Sequence, residues 1–382
     1  MPKAIAVFGS TGSIGTQALS VAAFHKDRIR VAAIAANRNT ELVIKQIDEF
    51  RPEYVGMYDA AAAKEIAALR PQVKVVAGDE VNSLAALPEV DTVVNGVSGF
   101  YGLFPLLSAL RAGKTVALAN KESIVCGHRI VEETIEKYGG TILPVDSEQS
   151  ALFQCLAAGR REDVKTLILT ASGGMFREFT REQLDAVTPE MALRHPTWSM
   201  GRKITVDSSS MFNKGLELME AGWLFGFGPD DVRIYIHPQS VVHSMVEYAD
   251  GSVIAQLAKP DMRLAIQYAI TYPERIPSQL DAASPAALSG LTFFEPDGEK
   301  FPAIPLAYEA FRDGESLPIA YNSANEVAVD SFLAGKLRFT AIADCVQYAM
   351  RRISCGRISS VSDILALDSE ARALAAEFLT AR

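Results

Sequence analysis

A chain of 382 residues, 49% of them apolar, is long enough for two or three domains with real cores and is not a disordered polymer. With 46 acidic against 37 basic residues and a net charge of −9, it lacks the basic face of a nucleic-acid protein, while a local cationic site for an anionic substrate stays open to it. No apolar run reaches the roughly 18 residues needed to span a bilayer, and no leader-like segment precedes the first strand. The four cysteines, Cys126, Cys155, Cys345 and Cys355, have neither disulfide-framework nor zinc spacing, so buried free thiols in a soluble cytoplasmic protein are expected.

In chain order, short apolar strands are predicted at Ala4–Phe8, Arg30–Ala36, Tyr54–Tyr58, Val73–Val76, Thr92–Asn95, Thr115–Ala119 and Thr141–Val145. Helical segments such as Ser13–Phe24 and Tyr101–Arg111 separate them, which is the pattern of βαβ units and a parallel sheet. After Asp146 the pattern changes. A helix starts near Glu148, Lys165–Thr170 reads as a strand, and Val241–Tyr248 and Ser252–Leu257 flank a hairpin turn at Ala249-Asp250-Gly251. Residues 274–300 are rich in Pro, Ser and Ala and read as a linker; from Phe301 the chain is almost all helix-forming, ending in the periodic run Asp363–Thr380. The fold class is α/β: a Rossmann-type parallel-sheet domain over 1–147, an α+β catalytic domain over 148–273, the linker 274–300, and a helical domain over 301–382.

Gly9-Ser10-Thr11-Gly12-Ser13-Ile14-Gly15 joins the first strand to the first helix. Glycines there let the backbone turn tightly and approach a pyrophosphate seated on the helix N-terminus. The spacing is GxxGxxG, so position carries the dinucleotide reading; an ordinary glycine-rich turn is the alternative. The second strand ends at Ala36, followed by Asn37-Arg38-Asn39. No acid stands there for a ribose hydroxyl, and the Arg favours a 2′-phosphate, hence NADP over NAD, unless Arg38 is merely a solvated loop residue.

Asn120-Lys121-Glu122 closes another strand, where ligands bind in open α/β sheets; a helix-start ion pair explains Lys121 and Glu122 equally well. Asp146 and Glu148 are two apart on a segment read as extended, so their carboxylates share a face and call for a cation. Oxygen-only ligands favour Mg²⁺ or Mn²⁺, and helix capping is the rival explanation. Asn213, Lys214 and Glu217 fall on one face of a predicted helix, with Ser208 in an N-cap-like stretch before it. With Ser172-Gly173-Gly174 they suit a phosphate pocket. His195 and Trp198 flank a proline in a polar stretch that offers the ring little to bury it; a mobile lid and a structural role both fit.

Together and in order, these motifs resemble those of the 1-deoxy-D-xylulose 5-phosphate reductoisomerases of the non-mevalonate isoprenoid pathway. The resemblance also takes in Ala119–Ser123, Asp146–Ser150, His195–Gly201, Asp207–Glu217, His237–Ser244 and Asn325-Glu326, so it spans essentially the whole chain. It implies an NADPH- and metal-dependent isomerisation and reduction of 1-deoxy-D-xylulose 5-phosphate to 2-C-methyl-D-erythritol 4-phosphate. It implies that Gly9, Thr11, Gly12, Ser13, Ile14, Ala36, Asn37, Arg38, Asn120, Glu122 and Gly201 hold NADPH. Asp146, Glu148 and Glu217 would ligate one Mg²⁺, Mn²⁺ or Co²⁺ ion. Lys121, Ser147, Glu148, Ser172, His195, Trp198, Met200, Ser208, Asn213, Lys214 and Glu217 would contact substrate, with Lys121, Glu148 and Glu217 catalytic and Trp198 and Met200 on a closing loop. Phosphonate hydroxamate inhibitors and a homodimer are implied too. Ala36 and Asn37 depart from the family's usual Gly and Lys. Two rivals are an aldehyde-dehydrogenating NADP reductase, which wants a nucleophilic Cys, and a non-catalytic NADP-sensing module.

Overall fold

The computed structural model describes residues 2–194 and 201–381, which form two compact units. The first comprises Met1–Ser123, Val131–Ser150 and Asp261–Asp281. Seven strands, β1 (Lys3–Phe8), β2 (Ile29–Ala36), β3 (Tyr54–Met57), β4 (Lys74–Ala77), β5 (Thr92–Asn95), β6 (Thr115–Leu118) and β7 (Thr141–Pro144), make one parallel sheet in the order β4-β3-β2-β1-β5-β6-β7. Its central strands are apolar on both faces because helices cover both; Ile5, Ala6 and Val7 are fully buried. The order reverses between β1 and β5, which leaves a crevice beyond their carboxyl ends.

The Ser13–Phe24 helix begins where expected, and strand limits differ from expectation by a residue or so. The Tyr101–Arg111 helix starts later, at Leu103, after a 3₁₀ turn over Phe100–Gly102. The Met262–Thr271 helix, expected in the catalytic domain, belongs instead to the first unit and packs beside Ser13–Phe24. Lys3 Nζ donates to the Ile270 carbonyl at 2.7 Å, and His25 and Gln267 share a buried hydrogen bond of 3.1 Å.

The second unit comprises Ile124–Ile130, Ala151–Pro260 and Ala282–Arg382. Strands β8 (Val164–Ala171), β9 (Val232–Ile236), β10 (Val242–Tyr248) and β11 (Val253–Leu257) form a sheet in the order β11-β10-β8-β9. The expected hairpin is β10–β11, antiparallel; β8 and β9 run parallel. The C-terminal helices Ala303–Asp313, Ser316–Leu333, Ala341–Met350 and Val361–Thr380 share one apolar core with the helix Phe212–Phe225, so 301–382 is not a separate domain. Tyr321, fully buried, packs its ring at a tilt against Phe212 and donates to the Ala303 carbonyl at 3.1 Å.

Nor is 274–300 a free linker. Phe294 makes a two-way backbone bridge with Ile236 at 2.8 and 2.9 Å, and the Phe293 ring stacks on His237. Cys126, Cys155 and Cys345 are buried free thiols, whereas Cys355 is exposed, contrary to expectation. Among the described residues no helix is long and apolar enough to cross a membrane.

Candidate active site

In the first unit the glycine loop follows β1 directly. Gly9 has φ +74°, and a Cβ there would lie 2.5 Å from the Gly96 carbonyl oxygen. A Cβ on Gly15 would lie 2.2 Å from the Gly9 carbonyl oxygen, so loop and helix approach as only glycine allows. Gly12 caps the helix, Thr11, Ser13 and Ile14 stay at least partly open, and the helix has no acid in its first turn. Its free backbone N–H groups therefore face the crevice with no internal anion to meet them. Ala36 is buried at the end of β2, and Asn37 and Arg38 are exposed; Arg38 has no ion-pair partner among the described residues.

Asn120, 2% exposed, is built into the turn after β6. Its side-chain oxygen caps the Lys121–Tyr138 helix at Ser123 N, 3.1 Å, and its Nδ2 donates to the Gly99 carbonyl at 2.8 Å and to Glu122 Oε2 at 3.0 Å. Lys121 is buried and ion-paired with Asp146. Asp146 is not on an extended run with Glu148: the Ser147–Leu156 helix starts between them, and Glu148 lies in its first turn. Strand end and helix start still present both acids together, since Ser147 Oγ donates to Glu148 Oε2 at 2.6 Å and the Glu148 charge acts on Asp146. Burial is the main force pushing the Asp146 carboxyl up; Lys121 opposes it and Glu148 adds to it.

In the second unit β8 ends at Ala171, and Ser172-Gly173-Gly174 turns away through φ of +80° and +66° at the two glycines. Gly174 N donates to Ser172 Oγ at 3.3 Å. A Cβ on Gly174 would sit 2.9 Å from Ser209 Cα and 3.0 Å from the Ser208 carbonyl oxygen, so the loop lies directly on the end of the Arg202–Ser210 helix. Ser208 is in that helix's last turn, not an N-cap; Met211, at φ +68°, breaks the chain before the Phe212–Phe225 helix begins. Ser209 and Ser210 spend their hydroxyls on the Thr205 and Val206 carbonyls at 3.0 and 2.8 Å, and Ser208 alone of the three is partly exposed.

Lys214 is 4% exposed and donates from Nζ to the Thr170 carbonyl at 2.5 Å. It also pairs with Glu217, 1% exposed, which accepts from Asn213 as well. Ser172, Ser208, Asn213, Lys214 and Glu217 thus gather beyond the carboxyl end of β8. Thr170 escaped the sequence reading as a site residue, since a backbone carbonyl leaves no composition signal. Gly201 caps the Arg202–Ser210 helix and is exposed. His195, Trp198 and Met200, expected at the substrate and on a closing loop, lie outside the described residues. His237 is structural: its Nδ1–H donates to the Thr292 carbonyl at 2.9 Å and its Nε2 accepts from Val241 and Val242 N, both at 3.2 Å.

Three family profiles match the chain: 1-deoxy-D-xylulose 5-phosphate reductoisomerase over residues 5–128, its C-terminal domain over 142–225, and the DXP reductoisomerase C-terminal domain over 257–374. The 1-deoxy-D-xylulose 5-phosphate reductoisomerase of Geotalea uraniireducens is 45% identical over 99% of this chain and 98% of its own. That of Pelotomaculum thermopropionicum is 46% identical over 97% of each. Among solved structures, the Zymomonas mobilis enzyme in complex with NADPH has a TM-score of 0.93 at 39% identity, covering 99% of both chains. A DOX-P reductoisomerase in complex with NADPH, fosmidomycin and magnesium also scores 0.93, at 37% identity, covering 99% of this chain and 98% of its own.

Proposed function

The chain belongs to the 1-deoxy-D-xylulose 5-phosphate reductoisomerase family, and from that we propose that it converts 1-deoxy-D-xylulose 5-phosphate to 2-C-methyl-D-erythritol 4-phosphate with NADPH and one divalent metal ion. The observation that carries the reading is the pairing of two buried acids with two buried lysines, Asp146 with Lys121 and Glu217 with Lys214. Buried carboxylates persist only when compensated, and an oxygen-only donor set suits a hard cation. The donor chemistry therefore fits Mg²⁺ or Mn²⁺ held by Asp146, Glu148 and Glu217. Such an ion supplies Lewis-acid stabilisation of charge developing on substrate oxygens. The glycine cradle fits a dinucleotide, and NADPH supplies the hydride that reduces the branched aldehyde.

The chain's own residues do the rest. Thr11, Ser13 and Ile14 offer N–H groups to the cofactor pyrophosphate, Gly12 lets the backbone come close to it while its own N–H closes the turn on the Gly9 carbonyl at 2.9 Å, and Arg38 meets its 2′-phosphate. Lys214 brings its ammonium to the substrate phosphate, with the hydroxyls of Ser172 and Ser208 and the amide of Asn213 completing the anion's shell. Lys121 and Ser147 orient the carbon backbone, and Glu148, hydrogen-bonded to Ser147, carries the proton as the skeleton rearranges. The aldehyde-dehydrogenating rival has no nucleophile: burial pushes the Cys155 thiol up to about 11, Cys126 and Cys345 are also buried, and Cys355 is in no site described. A cytoplasmic homodimer fits the cofactor and the family.

The test is turnover. Purified protein should consume NADPH only when both substrate and divalent ion are present, with the branched polyol phosphate identified by mass spectrometry. Full activity after exhaustive chelation would remove the metal from the reading.

A further inference from the structure

Asp207 and Asn325 have no part in the site above, yet both are buried, at 1% and 0% exposure. Asp207 immediately precedes Ser208 on the Arg202–Ser210 helix. Its Oδ1 accepts from Asn325 Nδ2 at 2.8 Å, and Asn325 stands on the Ser316–Leu333 helix of the same unit. Its Oδ2 takes Lys203 Nζ at 2.8 Å, one turn back on its own helix. The Oδ1 of Asn325 has no hydrogen-bond partner among the described residues. A buried carboxylate bonded to a half-satisfied amide is a poor way to fill a core, where apolar side chains of the same volume do as well or better. The pair sits where it does for a reason other than packing.

The reason lies with the next residue of the helix. Successive helical residues are turned by roughly 100°, so fixing the direction of Asp207 fixes that of Ser208. On the pocket side the helix end touches Gly174 so closely that a Cβ would lie 3.0 Å from the Ser208 carbonyl oxygen. The helix is therefore gripped twice, by Asn325 at Asp207 and by the glycine loop at Ser208 and Ser209. A small roll about its axis would turn the Ser208 hydroxyl to a new direction relative to the Ser172–Gly174 loop.

We propose that Asp207 is a positioning residue for the substrate phosphate: its hydrogen bond to Asn325 sets the roll of the Arg202–Ser210 helix and so aims the Ser208 hydroxyl into the pocket formed with Ser172 and Lys214. The inference rests on the assignment of that pocket to the phosphate.

Asn325→Leu removes the bond and keeps the volume, and Asn325→Ser removes it with less disturbance of the core. Each should raise KM for 1-deoxy-D-xylulose 5-phosphate about tenfold, with kcat within about threefold and KM for NADPH unchanged, the pattern of lost substrate binding. The exchange Asp207→Asn with Asn325→Asp restores an amide–carboxylate bond and should return KM to within about threefold of the parent. Lys203→Met, at a side chain 29% exposed, should fold and raise KM about threefold by loosening the same carboxylate. A purely structural pair would lower the melting temperature or the active fraction and leave KM alone; that outcome, in the Asn325 variants or in Lys203→Met, overturns the proposal. Ser208→Ala, measured alongside, separates the two levels. If it leaves KM unchanged, the phosphate-pocket assignment fails; if it raises KM while the Asn325 variants do not, only the positioning role fails.

Discussion

The ammonium of Lys214 is anchored to the main chain of the sheet, donating to the Thr170 carbonyl two residues before Ser172 at 2.5 Å. Its position is thus set by β8 and not by its own flexible stem. Lys214→Met keeps the aliphatic stem and removes the charge. The phosphorylated substrate and phosphonate hydroxamate inhibitors should weaken together, by roughly 2 kcal/mol or a factor of about 30, as for one lost charge-assisted hydrogen bond. Calorimetric titration with a phosphonate hydroxamate checks this, and unchanged affinity would put the anion elsewhere.

Asp146 is a second anchored group, a buried acid against Lys121. Asp146→Asn keeps its shape and removes one oxygen-centred charge. Divalent-ion affinity should fall about tenfold or more, by analogy with other sites whose affinity follows ligand charge. Titrating Mn²⁺ by its paramagnetic signal measures it directly, and equal affinity in parent and variant would take Asp146 out of the ligand set.

Arg38 is exposed beyond β2. Arg38→Ala should weaken NADPH by about 1.5–3 kcal/mol, as for a lost contact to a charged group, and leave NADH nearly unchanged. Equal losses with both cofactors in a fluorescence titration would contradict a 2′-phosphate contact.

His128 gives the protein a built-in pH response. Its ring stacks on Trp223 at 4.0 Å, and burial holds its imidazole down at about 4, with Arg129 adding to the effect and Glu315 opposing it. The folded value lies below the unfolded one, so between about pH 6.5 and 4 the unfolded chain binds more protons. Stability should therefore fall as pH drops through that window, by at most roughly 1.4 kcal/mol per pH unit from this group, and be independent of it above about pH 7. Melting temperatures across the window should show a shallower slope in His128→Phe than in the parent.

Much of the first unit was legible because its strands obey a local rule: a strand buried on both faces is a short, mainly apolar run, as residues 4–8 of β1 are. The glycine loop was legible for the same reason, since its chemistry lies in seven consecutive residues. What escaped depends on contacts far apart in sequence. Nothing near Met262–Thr271 says that it covers Ser13–Phe24, and nothing near Phe294 says that it pairs with Ile236. Ser208 was misplaced as a cap because Met211, not a glycine, takes the left-handed turn between two helices. The helix start near Glu148 is legible and agrees with Ser147–Leu156, but i and i+2 spacing on an extended segment is the wrong account of how Asp146 and Glu148 come together. Asn325 was visible as a motif, but its partner Asp207 lies 118 positions away.

The first unit is assembled from three stretches of chain, the last ending at Asp281. During synthesis the sheet strands through Pro144 emerge well before the helix that will cover Ser13–Phe24. At ordinary elongation rates that interval is on the order of ten seconds. For that time Lys3 and His25 wait for Ile270 and Gln267, and an apolar helix flank stands bare in the ribosome's vicinity. The order of synthesis thus leaves one flank of the early helix uncovered until the late helix arrives. A fragment stopped at residue 150 would keep that flank bare permanently.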